Sequence, residues 1–329
     1  MKTFSSLSIA VLVAFFIIGS ARFDTSSILN PQFYMKASED GEAFSVFRTN
    51  SDQVVVTQNA KAGMRPYLHP IMAPDGNGSL TEYSPGHHKH QTGLYWGFTR
   101  VNGTGAPLDT LRRWFYNPNK PQRIRDQIGR DFFHNNGGSH WKKASAEIVV
   151  GEGDLVQWKT VYHMLDAAGE PILEETMNWS LSEEAGKVLI GLEWEGKAIQ
   201  EVTINAFEYG GMFLRMPWRR DINGEAVNSE GQRNQEAEGQ KASWVDVGMD
   251  IEGRDDWGHI AIMDHPANVN HPTPWRVDGQ LGVGPCRALE GDWHIEKGET
   301  AIFRHQLVAY TGKLESSEMS ELWKRYAGK

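Results

Sequence analysis

Two stretches of this sequence concentrate histidine in ways that suit proton transfer or metal binding. The first is His87-His88-Lys89-His90-Gln91-Thr92-Gly93-Leu94, entered through Ser84-Pro85-Gly86. Three imidazoles and an ammonium so close together are a poor fit to an apolar core, and the run Leu94–Phe98 that follows anchors them to the fold. Read as extended chain, the segment points His88 and His90 the same way. That is the arrangement of a His-x-His chelate for a divalent metal ion. It is equally that of two neutral imidazoles able to take and return protons near neutral pH. The second stretch is Asp264-His265-Pro266-Ala267-Asn268-Val269-Asn270-His271-Pro272-Thr273-Pro274-Trp275. Its His, Asn and Pro content predicts a stiff polar loop at a strand end, where ligand groups are commonly carried.

Two further segments add cations and a phenol. In Arg65-Pro66-Tyr67-Leu68-His69-Pro70 the prolines favour extended chain, which would set Arg65, Tyr67 and His69 on one face. In Phe207-Glu208-Tyr209-Gly210-Gly211-Met212-Phe213-Leu214-Arg215 the paired glycines suggest a bulge or a close approach by a ligand. Tyr209 and Arg215 are the groups there that could reach a site. An arginine would serve to bind a carboxylate or to stabilise developing oxyanion charge. The sequence carries no nucleophile elbow, phosphate-cradling loop, dinucleotide fingerprint or zinc-protease motif. A glycosidase carboxylate pair cannot be singled out among the many acids.

The elements that must position these groups read as strands. Val188–Glu195 alternates apolar and polar residues with period two. Ser45–Gln58, Glu147–Leu165, Ile172–Leu181, Val202–Met216, His259–Asp264 and Thr300–Tyr310 read likewise, separated by glycine-containing turns. The one convincing long helix is Ser316–Tyr326. The expected fold is all-β, a large antiparallel β-sandwich of galactose-mutarotase-like or jelly-roll-like type, with a short C-terminal helix. Two segments break the regularity. Arg112–His140, polar and rich in His and Asn, is expected to border a site, whereas Asp221–Gln240 reads equally as a solvated excursion. The chain holds 12 Trp, whose flat faces suit pyranose rings. Trp158, Trp179 and Trp194 lie in strand patterns and are expected in the core, leaving Trp96, Trp218, Trp257 and Trp275 as ligand candidates.

The N-terminus reads as a cleaved signal peptide over residues 1–21, with Lys2, an apolar run from Ile9 to Ile18 and the small residues Gly19, Ser20 and Ala21. Residues 22–329 would then form a single β-sandwich domain, secreted or periplasmic and without a membrane anchor. Cys286 is the one cysteine, so no intrachain disulfide framework exists. The formal charge of -9 argues against nucleic acid as a partner.

Taken together, Pro66-Tyr67-Leu68-His69-Pro70, the histidine cluster leading to Gly93-Leu94, Val101-Asn102-Gly103, Gly210-Gly211 with Arg215, and the segment from His265 to Trp275 resemble the bacterial family labelled "methane oxygenase PmoA". The resemblance runs in matching order from about Val46 to Gly312. Its members are secreted proteins of polysaccharide-degrading bacteria, often encoded near sugar oxidoreductases, which implies saccharide chemistry rather than the membrane chemistry of the label. The family pattern Asp-His-Pro-His-His-Arg-Gly-Leu maps His88 and His90 onto its first two histidines. Its acid, third His and Arg are replaced here by His87, Gln91 and Thr92.

The resulting expectation is a carbohydrate-active enzyme of polysaccharide breakdown acting on oligosaccharides. It would be a lyase or dehydratase performing elimination on uronic acid or keto-sugar residues. His88 or His90 would be the base, Tyr209 or His265 the acid, and Arg65 or Arg215 the anion clamp. His69, Asn268, His271 and Trp275 would complete substrate binding. Either no cofactor is required, or a divalent metal ion held by His88, His90 and a third histidine replaces the clamp. A glycoside hydrolase, a non-catalytic carbohydrate-binding protein and, last, a metal-dependent oxygenase are the alternatives.

Overall fold

A computed structural model of the chain describes residues 31–105 and 108–328. The signal peptide expected over residues 1–21 lies outside them. Among the described residues two large antiparallel sheets, of nine and eight strands, face each other, and a small two-stranded sheet pairs Val202–Ile204 with Trp293–Ile295. The architecture is all-β, as the alternation required. The longest strands, Pro171–Glu184, Lys187–Ala198 and Thr300–Thr311, pair along their lengths in the middle of the eight-stranded sheet. Their inward residues, among them Met177, Trp179, Ile190, Leu192, Trp194 and Phe303, meet Leu68, Leu94, Trp96 and Met212 of the other sheet in the principal core. Burial of this apolar surface is the main stabilising term.

Period two also dictates what lies on the outer face of the nine-stranded sheet. Tyr67–Ile71, Leu94–Gly97 and Gly211–Leu214 are neighbours. Their register sets Tyr67 opposite Tyr95, and Tyr95 opposite Phe213. These rings point away from the principal core and, with Phe133, Phe207 and Tyr209, make a second, aromatic core. Its cover is the segment expected to be irregular, which contains two helices: α1 (Leu108–Phe115) and α2 (Gln122–Ile128). Leu111, Phe115, Ile124 and Ile128 are their buried residues. Each helix is about two turns long, too short for its periodicity to stand out within a polar, Arg-rich stretch. The C-terminal helix α3 (Ser316–Tyr326) has the bounds expected of it and packs Met319 and Leu322 onto the outer side of the eight-stranded sheet.

Other expectations need correction. Ser45–Gln58 is two strands, Ala43–Arg48 and Val54–Asn59, and Val202–Met216 is interrupted between Ile204 and Gly211. Asp221–Gln240 is not a solvated excursion, because Gly224–Asn228 pairs at the edge of the eight-stranded sheet and Ala226, Val227, Asn228 and Ala237 are buried. Trp158, Trp179 and Trp194 are core residues as expected, but Trp96 is core too, stacked on Trp194 at 4.7 Å. The glycine pair shows packing rather than ligand approach: a Cβ on Gly210 would lie 3.2 Å from the Thr99 nitrogen, and one on Gly211 3.4 Å from the Pro285 oxygen. Among the described residues no helix is long and apolar enough to cross a membrane.

Candidate active site

A cleft of about 380 Å³ opens above the aromatic outer face of the nine-stranded sheet. Two loops meet over it. The first carries His87, His88 and His90 ahead of Leu94–Gly97. It is not extended as expected but folded into successive turns, closed by hydrogen bonds from the His88 amide to the Pro85 oxygen (2.9 Å), the Gln91 amide to the His88 oxygen (3.0 Å) and the Ser84 amide to the Gln91 oxygen (2.7 Å). Gly93 ends the loop with a φ of 74°, and a Cβ there would come within 2.4 Å of the Leu68 oxygen, so only glycine fits. The rings of His88 and His90 still end up adjacent, edge to face at 5.6 Å.

The second loop brings His134. Asp131 organises it: Oδ1 accepts the amides of Phe133 and His134, both at 3.0 Å, and Oδ2 takes His134 Nδ1 at 2.8 Å. A carboxylate on Nδ1 fixes the tautomer with its proton there, so Nε2 keeps its lone pair. Nε2 lies 3.4 Å from the Tyr209 hydroxyl, which also bonds the hydroxyl of Tyr116, the residue after α1. Asp131, His134, Tyr209 and Tyr116 thus form one chain of polar contacts ending in the cleft. His90 packs against this chain, its ring 4.5 Å from that of His134 and tilted 57° to it.

The electrostatics keep His88 and His90 neutral. Burial is the largest influence on His90, and the nearby His134 ring and Arg65 guanidinium add to it, pushing its pKa down to about 2. Burial and the Arg215 guanidinium also lower that of His88, whose buried Nδ1 has no hydrogen-bond partner within the protein. The Tyr209 phenol is shifted upward by burial and by Tyr116, so it is a proton donor at neutral pH.

The two arginines expected to clamp an anion do something else. Arg65 is sealed beneath the cleft, with its guanidinium over the Tyr95 ring at 3.6 Å. Its Nη1 donates to the oxygens of Phe132 (3.1 Å) and Phe133 (2.6 Å), and its Nη2 to the His90 oxygen (2.8 Å). Arg215 is equally buried and donates to Asp278 (2.9 Å), Gln91 (2.6 Å) and the Gln280 oxygen (2.5 Å). Carbonyls hold both Nη groups of Arg65, whose buried Nε has no partner, and a carboxylate, an amide oxygen and a carbonyl hold Arg215, before any substrate arrives.

The His265–Trp275 loop is a separate structure. Asp264 is fully buried, and its oxygens accept from Asn268 (2.7 Å), His271 (2.8 Å) and the Thr273 amide (2.9 Å). The loop's polar residues are therefore consumed in neutralising a buried carboxylate. Asn268 also bonds the backbone of Arg304 in both directions, and the His271 ring stacks on Trp323. Trp275 is buried and donates to the Ala242 oxygen at 2.9 Å. His265 packs against Tyr326 of α3 at 5.0 Å and accepts the Ala267 amide. None of these four lines the cleft, and neither does His69, which bonds Thr81 at 3.0 Å and packs on Tyr83. Of the remaining tryptophans, Trp218 lies 5.8 Å from His87 and Trp257 borders a different depression with His259.

Sequence reasoning missed His134, Asp131, Tyr116, Arg276 and Asp278. The signal for the first two was the Asp131-x-x-His134 spacing inside a segment already marked by its histidines. Among the described residues no group of three or more His, Cys, Asp or Glu side chains could hold a metal ion. His88 and His90 are thus described as a pair.

A family model described as "Family of unknown function (DUF6807)" matches residues 36–324. No curated protein matches the chain. Among solved structures, the chain is similar to the GH36 α-galactosidase AgaB of Geobacillus stearothermophilus (11% identity, TM-score 0.37, covering 84% of this chain and 41% of that one). It is similar to an α-galactosidase of Lactobacillus brevis (9%, 0.36, covering 86% and 40%) and to the Slr1438 protein of Synechocystis sp. PCC 6803 (9%, 0.33, covering 87% and 97%). The chain spans about two fifths of the length of the α-galactosidases it matches.

Proposed function

This chain belongs to the DUF6807 family, and we propose that it is an exported carbohydrate-active enzyme that eliminates water or an alkoxide from a saccharide by acid–base catalysis. The observation that carries the reading is the relay Asp131–His134–Tyr209, ending in a cleft walled by His88 and His90. His134 Nε2, unprotonated, 3.4 Å from the Tyr209 hydroxyl and backed by the Asp131 carboxylate, takes the carbon-bound proton. Tyr209 donates its proton to the departing oxygen, which leaves with the C–O electron pair. The Tyr209 phenolate is then reprotonated by the His134 imidazolium beside it, so the pair resets itself. Base and acid stand on one side of the substrate, which makes the elimination syn. His88 and His90, held neutral, hydrogen-bond the hydroxyl or carbonyl oxygens of the sugar. The motif likeness to the family labelled "methane oxygenase PmoA" supports the saccharide assignment.

Hydrolysis by a carboxylate pair fits less well. Asp278 is the one carboxylate lining the cleft among the described residues, and it is engaged by Arg215. The test is incubation with oligosaccharides and their oxidised derivatives while following ultraviolet absorbance. The expected result is a new conjugated double bond, lost in Tyr209→Phe. New reducing ends without that chromophore would establish hydrolysis instead, and saccharide binding unaffected by Tyr209→Phe with no product would leave a binding protein.

A further inference from the structure

We infer that the saccharide ring held in the cleft is uncharged, so that the carbon acid is activated by a ring carbonyl rather than by a carboxylate. This rests on the proposed elimination and selects between its two substrate classes. An elimination beside a uronate carboxylate requires a cation free to neutralise that carboxylate as the adjacent carbon loses its proton. Among the described residues, the guanidinium groups of Arg65, Arg215 and Arg276 are engaged by other partners, only the buried Arg65 Nε having none. Arg276, the one arginine lining the cleft among the described residues, bonds Glu238 at 2.5 Å and lies over the Tyr209 ring at 5.6 Å. Arg215 is held by Asp278, and Arg65 lies under Tyr95 with its Nη1 and Nη2 on backbone carbonyls. Among the described residues, the Arg and Asp/Glu side chains lining the cleft are one arginine and one aspartate, each already in an ion pair.

His87 is exposed at the rim with its ring 5.8 Å from that of Trp218, and the other three lining histidines do not supply the missing cation. His88 and His90 are both kept in the neutral form by burial and by the guanidiniums behind them. His134 donates its Nδ1–H in a hydrogen bond to the Asp131 carboxylate, so its protonation at Nε2 during the reaction leaves a neutral ion pair rather than a free charge. A carboxylate entering this cleft would lose its hydration and meet Asp278 and the Glu238-paired Arg276, with no unpaired guanidinium lining the cleft among the described residues to offset the cost. A ketone or aldehyde oxygen needs only hydrogen-bond donors as its enolate forms, and imidazole and phenol groups provide them.

The test is calorimetric titration of the intact protein with matched pairs of methyl glycosides, glucoside against glucuronoside and galactoside against galacturonoside, at low and high salt. The expected result is binding of the neutral members at least about ten-fold tighter, with affinity insensitive to salt as befits an uncharged ligand. Glu238→Gln, which leaves Arg276 in place but unpaired, should move the ratio toward the uronosides by about ten-fold. Uronosides binding the wild type as well as or better than their neutral partners would overturn the inference while leaving the elimination standing. So would a Glu238→Gln ratio equal to that of the wild type. Neutral binding without turnover of any carbonyl-bearing saccharide would overturn the elimination instead, and binding of neither member of any pair would overturn both.

Discussion

Arg65 Nη2 donates to the backbone oxygen of His90 at 2.8 Å while Nη1 of the same guanidinium donates to that of Phe133 at 2.6 Å. One buried side chain therefore sets the distance between the two loops that make the cleft, and with it the 4.5 Å spacing of the His90 and His134 rings. Lysine has no planar fork to reach carbonyls on both sides. Arg65→Lys should cost on the order of 2–3 kcal/mol in chemical denaturation, through carbonyls left without donors. It should also lower kcat more than it raises KM, since the groups it misplaces are the reacting ones. Unchanged kcat in a folded variant would mean that the loops hold their spacing without it.

Tyr209→Phe removes the acid and leaves its ring packed on Phe133 and Phe207. Turnover should fall by roughly 10²- to 10⁴-fold, with stability reduced by no more than about 1.5 kcal/mol for the lost hydrogen bonds. His134→Asn should bring a comparable loss. The double variant should be little worse than either single one, because the two residues act as one relay.

His90 and His140 resist protonation in the folded protein, with pKa values pushed down to about 2 and about 4 mainly by burial. The unfolded chain takes up protons at these positions from roughly pH 6.5 downward while the folded chain does not. Stability contributed by the neutral rings is thus present above about pH 6.5 and declines as the pH falls toward 4. Denaturation midpoints measured between about pH 7 and 5 should show this slope, and His90→Asn should flatten it.

Glu175 runs the other way. It is fully buried in the principal core beside Trp194, whose Nε1 donates to it at 2.8 Å, and burial pushes its carboxyl pKa up to about 8. The folded protein therefore keeps a proton that the unfolded chain releases above about pH 4.5, and stability from this site falls as the pH rises through 8. Glu175→Gln, which does not titrate, should be more stable than the wild type by on the order of 1–3 kcal/mol near pH 8. The gap should close toward pH 5, and a gap that stays constant with pH would show that Glu175 does not titrate in this range.

The Asp264 loop should be silent in catalysis. His265→Ala is expected to leave turnover unchanged, whereas Asp264→Asn, which strips the charge that gathers Asn268, His271 and Thr273, should cost about 3 kcal/mol. A large drop in turnover for His265→Ala at unchanged stability would return that histidine to the active site.

Period-two alternation was enough for the sequence to specify an all-β fold, and the apolar stripe Met319–Leu322–Tyr326 enough to specify α3 with its bounds. It also marked His88 and His90, because three imidazoles beside one another are hard to accommodate as ordinary core, and Tyr209, itself part of the second core, through a glycine pair that suggested a bulge or a ligand's approach but proves to serve packing. It could not reveal that Tyr67, Tyr95 and Phe213 lie side by side, since register between strands distant in sequence is settled only when the sheets pair. It could not distinguish the two histidine loops from each other. Both carry imidazole, amide and proline, and what separates them is a carboxylate: Asp264 turns inward and draws its loop's polar groups around it, whereas Asp131 orients one imidazole and leaves the opposite nitrogen facing the cleft. Whether a polar side chain is consumed by its own fold or left available for chemistry depends on which buried charge it must neutralise, and only tertiary structure decides that.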